Sequence, residues 1–336
     1  MKNTNRNSKI QPQTKEELAI LIEGEMTQNG FQCDLNHIDV SLVTDFSSLF
    51  WHSSFNGDIS GWDVSGVTSM DGTFSHSKFN GDISKWNVSS VVDMNGMFQV
   101  SQFNGDISGW DVSSVKNMNF MFLDSEFKRD IARWDVSSAL NMAWMFGVSK
   151  FNGDISMWNV SSAIDMMGMF YMSKFTGDIS GWDVSGVKNM NDMFRESKFN
   201  GDMSEWNVAS VTNMNGMFYK SEFNGDVSEW DVANVTDMKN MFCKSKFNGN
   251  ISKWNVSGVK DMYRMFSGSK FNGDIFTWNR LSGVFDKNMF SNSVIAKKAG
   301  IKKPSFEQVK SHLLSLKLET DLQELPAGSE PPKVRL

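Results

Sequence analysis

Ten tryptophans, Trp62, Trp86, Trp110, Trp134, Trp158, Trp182, Trp206, Trp230, Trp254 and Trp278, stand 24 residues apart. A fixed period of that length points to one small unit stacked many times rather than to separate globules. Seven residues ahead of each tryptophan is a phenylalanine, from Phe55 to Phe271, and the unit reads F-N-G-D-I-S-x-W-[DN]-V-S-x-V-x-x-M-x-x-M-F-x-x-S-x. A diverged copy starts at Phe31, with Leu35, Ile38, Val40, Val43, Phe46, Leu49 and Phe50 in register, so eleven units fill residues 31–294. The first unit lacks the tryptophan and the last decays between Arg280 and Asp286, as terminal units that close a stack should.

The apolar spacing changes inside each unit. Trp62 and Val64 alternate with Gly61 and Asp63, which predicts a short strand. Val67, Met70 and Phe74 recur every three or four residues, which predicts a short helix or 3-10 segment. Asn56-Gly57-Asp58 is turn chemistry. The expectation is a repeat solenoid with one strand and one helical segment per 24-residue turn, its Trp, Val, Met and Phe columns forming one core. Pro12, Pro304, Pro326, Pro331 and Pro332 all lie outside the units, where no inter-turn hydrogen bond is lost.

Helical caps are expected at both ends. Thr14 and Glu17 form a capping-box pattern before Leu18, Leu21, Ile22 and Met26, so residues 14–30 should cover the first turn. Ser305 and Gln308 repeat the pattern before Phe306, Val309, Leu313 and Leu316, within a connector and capping helix at 295–325. Residues 1–13 and 326–336 have the composition of disordered ends.

A net charge of −6 argues against a nucleic-acid phosphate track, which would need a basic stripe. No apolar run has the length of a membrane span. Met1–Gln13 is polar and lacks the apolar segment of a secretory signal, which closes the ordinary export route if the chain is complete and would leave it cytoplasmic. Cys33 and Cys243 are too few for a disulfide framework and lie about eight turns apart, too far to bridge.

The unit F-N-G-D-I-S-x-W-D-V-S-S-V-x-x-M-x-x-M-F resembles the repeat of BspA-type leucine-rich-repeat surface proteins, also found in mycoplasma lipoproteins of unassigned function. The segments Lys15–Leu18 and Asp34–Ser41 resemble that family's N-terminal lead-in. The resemblance implies a leucine-rich-repeat-like solenoid at a cell surface and, in some members, adhesion to host proteins. It brings no catalytic residues and no cofactor.

The Asx column after each tryptophan, from Asp63 to Asn279, predicts side-chain hydrogen bonding to neighbouring turns. A calcium ladder shared with Asp58 and Asp82 is the alternative, without the nonapeptide signature of calcium-binding solenoids. His37, His52, His76 and His312 are scattered and suggest neither a metal site nor a triad. The informative departures cluster in the middle of the array. Leu140 and Ile164 replace Thr or Lys, whereas Phe120, Trp144 and Met167 replace Asn or Gly. Leu123, Val148, Tyr171 and Met172 occupy the variable pair after Met-Phe, and Met157 takes a strand-face place. Lys128, Arg129 and Arg133 add positive charge in the same stretch. A protein-binding patch anchored on Trp144 with a basic rim accounts for these residues, and so does drift in a redundant array. An interaction scaffold with a protein ligand, as an adhesin or as an intracellular recognition module, is expected ahead of an enzyme.

Overall fold

A computed structural model describes residues 10–279 and 283–323. Its 24-residue turns pile on one another in register. Parallel bridges join Asp45 to Ser69, Ser69 to Asp93, Asp93 to Asn117 and so on to Asp261 and Phe285, one bridge per turn. The Trp, Val, Met and Phe columns form one continuous buried core. Indole rings lie in file, with Trp62 and Trp86 6.4 Å apart and 6° from parallel, and Trp254 and Trp278 6.5 Å apart and 3° from parallel.

Each indole also ties its turn to the one before. Trp62 Nε1 donates to the Leu35 carbonyl, Trp86 Nε1 to Ile59, and the pattern continues to Trp278 and Ile251, all ten at 2.9–3.1 Å. A tryptophan buries more surface than any other side chain but carries an N–H that must be met when dry. Here the carbonyl three residues before the tryptophan position of the preceding turn meets it.

Neither the strand nor the helix expected within a unit forms among the described residues. Trp62 and Val64 are flanked by tight turns, with Trp62 N bonded to the Ile59 carbonyl and Val67 N to the Val64 carbonyl. The inter-turn ladder runs through the segment expected to be helical. Amides of Met70, Gly72, Phe74 and His76 donate to Asp93, Asn95, Met97 and Gln99 in the next turn, while Thr73, Ser75 and Ser77 bond back to Met70, Gly72 and Phe74. Two left-handed residues per turn create this alternation, Gly72 at φ 60° and His76 at φ 57°, then Gly96 and Val100, and Phe120 and Asp124. A right-handed helix cannot pass through such residues. The three-to-four spacing of Val67, Met70 and Phe74 therefore belongs to consecutive tight turns that share an apolar side.

Asx side chains shape the rest of the turn. Oδ1 of Asp63 accepts from the Ser65 amide and hydroxyl, and Oδ1 of Asp58 from the Ser60 amide. The column after the tryptophans thus bonds two residues ahead within its own turn, not between turns as expected from sequence. The inter-turn role falls to the Asn column, where Asn56 Oδ1 accepts from Asn80 N and Asn80 Oδ1 from Asn104 N.

Helix α1, Lys15–Asn29, covers the first turn, with Thr14 as N-cap and Leu18 and Ile22 buried. Residues 10–13 are ordered against that turn, because Ile10 bridges Ile38 and Pro12 is buried. Residues 1–9 of the start expected to be disordered lie outside the described residues, as does the tail at 326–336. A short helix not foreseen from sequence, α2 at Val294–Lys298, follows the last turn. Helix α3, Phe306–Gln323, carries the reciprocal Ser305 and Gln308 cap and buries Phe306 and Val309. Leu316, assigned to its apolar stripe, is 43% exposed, although the neighbouring Lys317 reaches the Phe276 ring of the last turn.

Trp110→Ala removes a full inter-turn contact and strands the Ile83 carbonyl. It should cost about 3–5 kcal/mol in a denaturant titration. The carboxylates of Asp58, Asp82, Asp106, Asp154, Asp178, Asp202 and Asp226 are held below the usual range chiefly by the backbone N–H of the serine two residues on. Their stabilisation is complete above the unfolded value near pH 4 and is lost as pH falls through the lowered folded values. Melting temperatures should therefore fall as pH drops below about 4. Asn250 makes the same turn with Ser252, so Asp106→Asn/Asp154→Asn/Asp178→Asn should fold normally and flatten that acid limb.

Candidate interaction face

The segments carrying the ladder, residues 68–76 and their equivalents, form one face of the stack. Its left-handed positions hold glycine in several turns, at Gly72, Gly96, Gly168 and Gly216. Turn four places Phe120 there at φ 56° and turn five places Trp144 at φ 60°. A bulky side chain in this conformation costs roughly 1–2 kcal/mol relative to right-handed backbone.

These rings are packed in place by neighbouring glycines. Trp144 lies over Gly168, where an added Cβ would stand 2.6 Å from Trp144 Cδ2. Leu123 lies over Gly147, where a Cβ would stand 2.9 Å from Leu123 Cδ1. Phe120 stacks on Trp144 at 6.4 Å, and Trp144 meets Tyr171 at 4.9 Å. Arg195 continues the line, its guanidinium 5.9 Å from the Tyr171 ring and 4.3 Å from the Tyr219 ring. Five planar groups thus run along one face from turn four to turn eight.

Aliphatic side chains flank the line. Leu140 and Ile164 are exposed neighbours in one column, joined by the bond from Ile164 N to the Leu140 carbonyl, and Val148 and Met172 are exposed neighbours in another. Met167 is partly exposed between them. Burial pushes the Asp192 carboxyl up, against the pull of the Arg195 guanidinium at 3.3 Å.

Lys128, Arg129 and Arg133 belong to other columns, separated from Leu123 and Asp124 by the buried Ser125 and Phe127. Lys128 N donates to Asn104 Oδ1, and Arg129 Nε donates to the Asn104 carbonyl at 2.8 Å. Arg129 stands where most turns keep a glycine packed on its own Phe ring, as Gly105 is on Phe103. Met157, 86% exposed, also lies outside the ladder segments. Sequence reasoning missed Arg195 and Tyr219, although the column Tyr171, Arg195, Tyr219 is readable at 24-residue spacing.

Among the described residues no group of three or more His, Cys, Asp and Glu side chains is placed to hold a metal ion, and no helix is long and apolar enough to cross a membrane. Stacked in-register units with one differentiated face make this a tandem-repeat protein. The chain belongs to the family described as "Mycoplasma protein of unknown function, DUF285", which matches it at residues 23–126, 120–225 and 195–303. It matches no curated protein and no solved structure.

Gly168→Ala should destabilise the fold by about 1–3 kcal/mol, because the alanine must adopt a strained left-handed backbone and meets the Trp144 ring. In a Trp144→Gly background the ring is gone and only the backbone part remains. A double-mutant cycle by chemical denaturation should therefore give a coupling of about 1 kcal/mol.

Proposed function

We propose that this chain is a non-enzymatic protein-interaction scaffold, a leucine-rich-repeat-like solenoid of the BspA type that serves as a bacterial surface adhesin. Its protein ligand engages the ladder face between turns four and six, around Trp144. One observation carries this reading: aromatic side chains occupy strained left-handed positions where glycine would be easier. Non-glycine residues take left-handed positions in every turn, but among the described residues only turns four and five place Phe or Trp there. Strain held at a half-exposed aromatic cluster is characteristic of binding surfaces. The aliphatic flank of Leu140, Ile164, Val148 and Met172 gives the cluster the apolar surround of an interface core. Lys128, Arg129 and Arg133 lie around the edge of the stack as a separate basic strip and contribute to encounter rather than to the anchor. The surface setting comes from the resemblance of the repeat alone.

Trp144→Gly separates binding from stability. Removing the left-handed cost of roughly 1–2 kcal/mol offsets the lost ring packing, so the melting temperature should hold or rise. Binding to the protein captured by the wild-type chain should weaken about 30-fold, the loss of a hot-spot residue. Met157→Ser, more exposed than Trp144 but off the face, should bind as wild type. Equal capture by wild type and Trp144→Gly would end the assignment of the site. Fractionation of native cells decides the setting: recovery with surface proteins supports the adhesin, and recovery with cytosol overturns it in favour of an intracellular recognition module.

A further inference from the structure

Charge on the ladder face is sorted along the stack. The segments of turns one to three, residues 44–52, 68–76 and 92–100, carry Asp45, Asp71 and Asp93 and no Lys or Arg, a net of −3. The segments of turns eight to ten, residues 212–220, 236–244 and 260–268, carry Lys220, Lys239, Lys244, Lys260 and Arg264 against Asp237 and Asp261, a net of 5 − 2 = +3. Between them, turns five and six hold the apolar centre. Two ion pairs temper the ends without reversing them. Lys15 of α1 reaches Asp45 at 3.1 Å, and Lys220 reaches Glu196 at 3.1 Å. Asp71 and Asp93 remain at one end, and Lys239, Lys244, Lys260 and Arg264 outnumber Asp237 and Asp261 at the other.

A face that is acidic at one end, apolar in the middle and basic at the other is complementary to itself once inverted. We infer that the partner of this face is a second copy of the chain, packed antiparallel about a two-fold axis between turns five and six. This rests on the reading of the Trp144 cluster as a protein-binding surface and names its occupant. Such an axis sets turn two against turn nine and turn three against turn eight, so each acidic segment meets a basic one. It sets turn five against turn six, so Leu140 of one copy meets Ile164 of the other and Val148 meets Met172. Each contact occurs twice, as an isologous interface requires. The charged ends fix orientation, because a parallel pairing would oppose like charges at both ends.

Light scattering of the intact chain at low salt should give twice the 38.0 kDa of one chain, with dissociation as salt is raised. The fold itself supplies safe charge reversals. Lys239→Asp/Lys244→Glu puts into turn nine residue types that Asp71 and Glu196 already show in the same columns. Asp71→Lys/His76→Lys puts lysine into turn two, as Lys239 and Lys244 stand in those columns. Each double variant alone should be a monomer, since its two copies oppose like charges at both ends. An equimolar mixture should recover the dimer, because both ends then attract. A wild-type chain that stays monomeric up to about 100 μM, or single-type variants that remain dimeric, would overturn the inference. Monomeric wild type with Trp144-dependent capture of another protein overturns only the second-copy partner, whereas loss of that dependence overturns the binding face itself.

Discussion

An amide that points along the stack has no acceptor within its own turn. Met70, Gly72, Phe74 and His76 are in this position, and their only acceptors are carbonyls of the next turn. Burying such groups unpaired would cost more than any single packing contact returns. Each turn is therefore incomplete without its successor. The indole of Trp86, bonded back to Ile59, makes the same demand in the opposite direction. Cooperativity along the chain follows from these two obligations rather than from secondary structure within a turn, and it is why the ends need covering. Lys15 and Met26 of α1 reach Asp45 or Ser47 and Ser53 of the first turn, and Lys310 of α3 reaches the Trp278 carbonyl of the last.

What was readable beforehand follows from which interactions leave a mark on residue type. The indole file, the single core and the caps at Thr14 and Ser305 depend on side chains, and their spacing revealed them. The backbone path did not show, because Val67, Met70 and Phe74 have the same spacing whether the chain coils as a helix or folds into consecutive tight turns. The distinguishing sign was the glycine at Gly72, Gly96, Gly168 and Gly216, a position that tolerates φ near +60°. In a helix those glycines would have been a recurrent weakness, and their recurrence was the clue to a left-handed site.

The candidate face was legible in part for the same reason. Phe120, Trp144 and Tyr171 depart from the repeat in residue type, and the structure joins them by ring contacts of 6.4 and 4.9 Å. Lys128 and Arg129 depart equally, yet nearness in sequence did not carry them to the same surface. In a stack, spatial neighbours are residues 24 apart, and eight residues along the turn is a long way around it. Arg195 lies 24 residues beyond Tyr171 and touches it, whereas Lys128 lies five beyond Leu123 and bonds to Asn104 in the turn before.

Redundancy explains how such a face can arise. Ladder hydrogen bonds use backbone atoms, so column positions at Leu140, Trp144 or Lys244 vary in side chain without breaking the connection between turns. Stability is shared among eleven nearly equal units, and a cost of 1–2 kcal/mol at Trp144 is spread over the stack instead of unfolding one element. The core columns lack that freedom, because each Trp and Phe must match the ring above and below. Divergence is thereby concentrated in the exposed columns, where a side chain can change without disturbing the stack. An acidic beginning, an aromatic middle and a basic end can therefore be carried on one such face without altering the core, which is what the proposed interface requires.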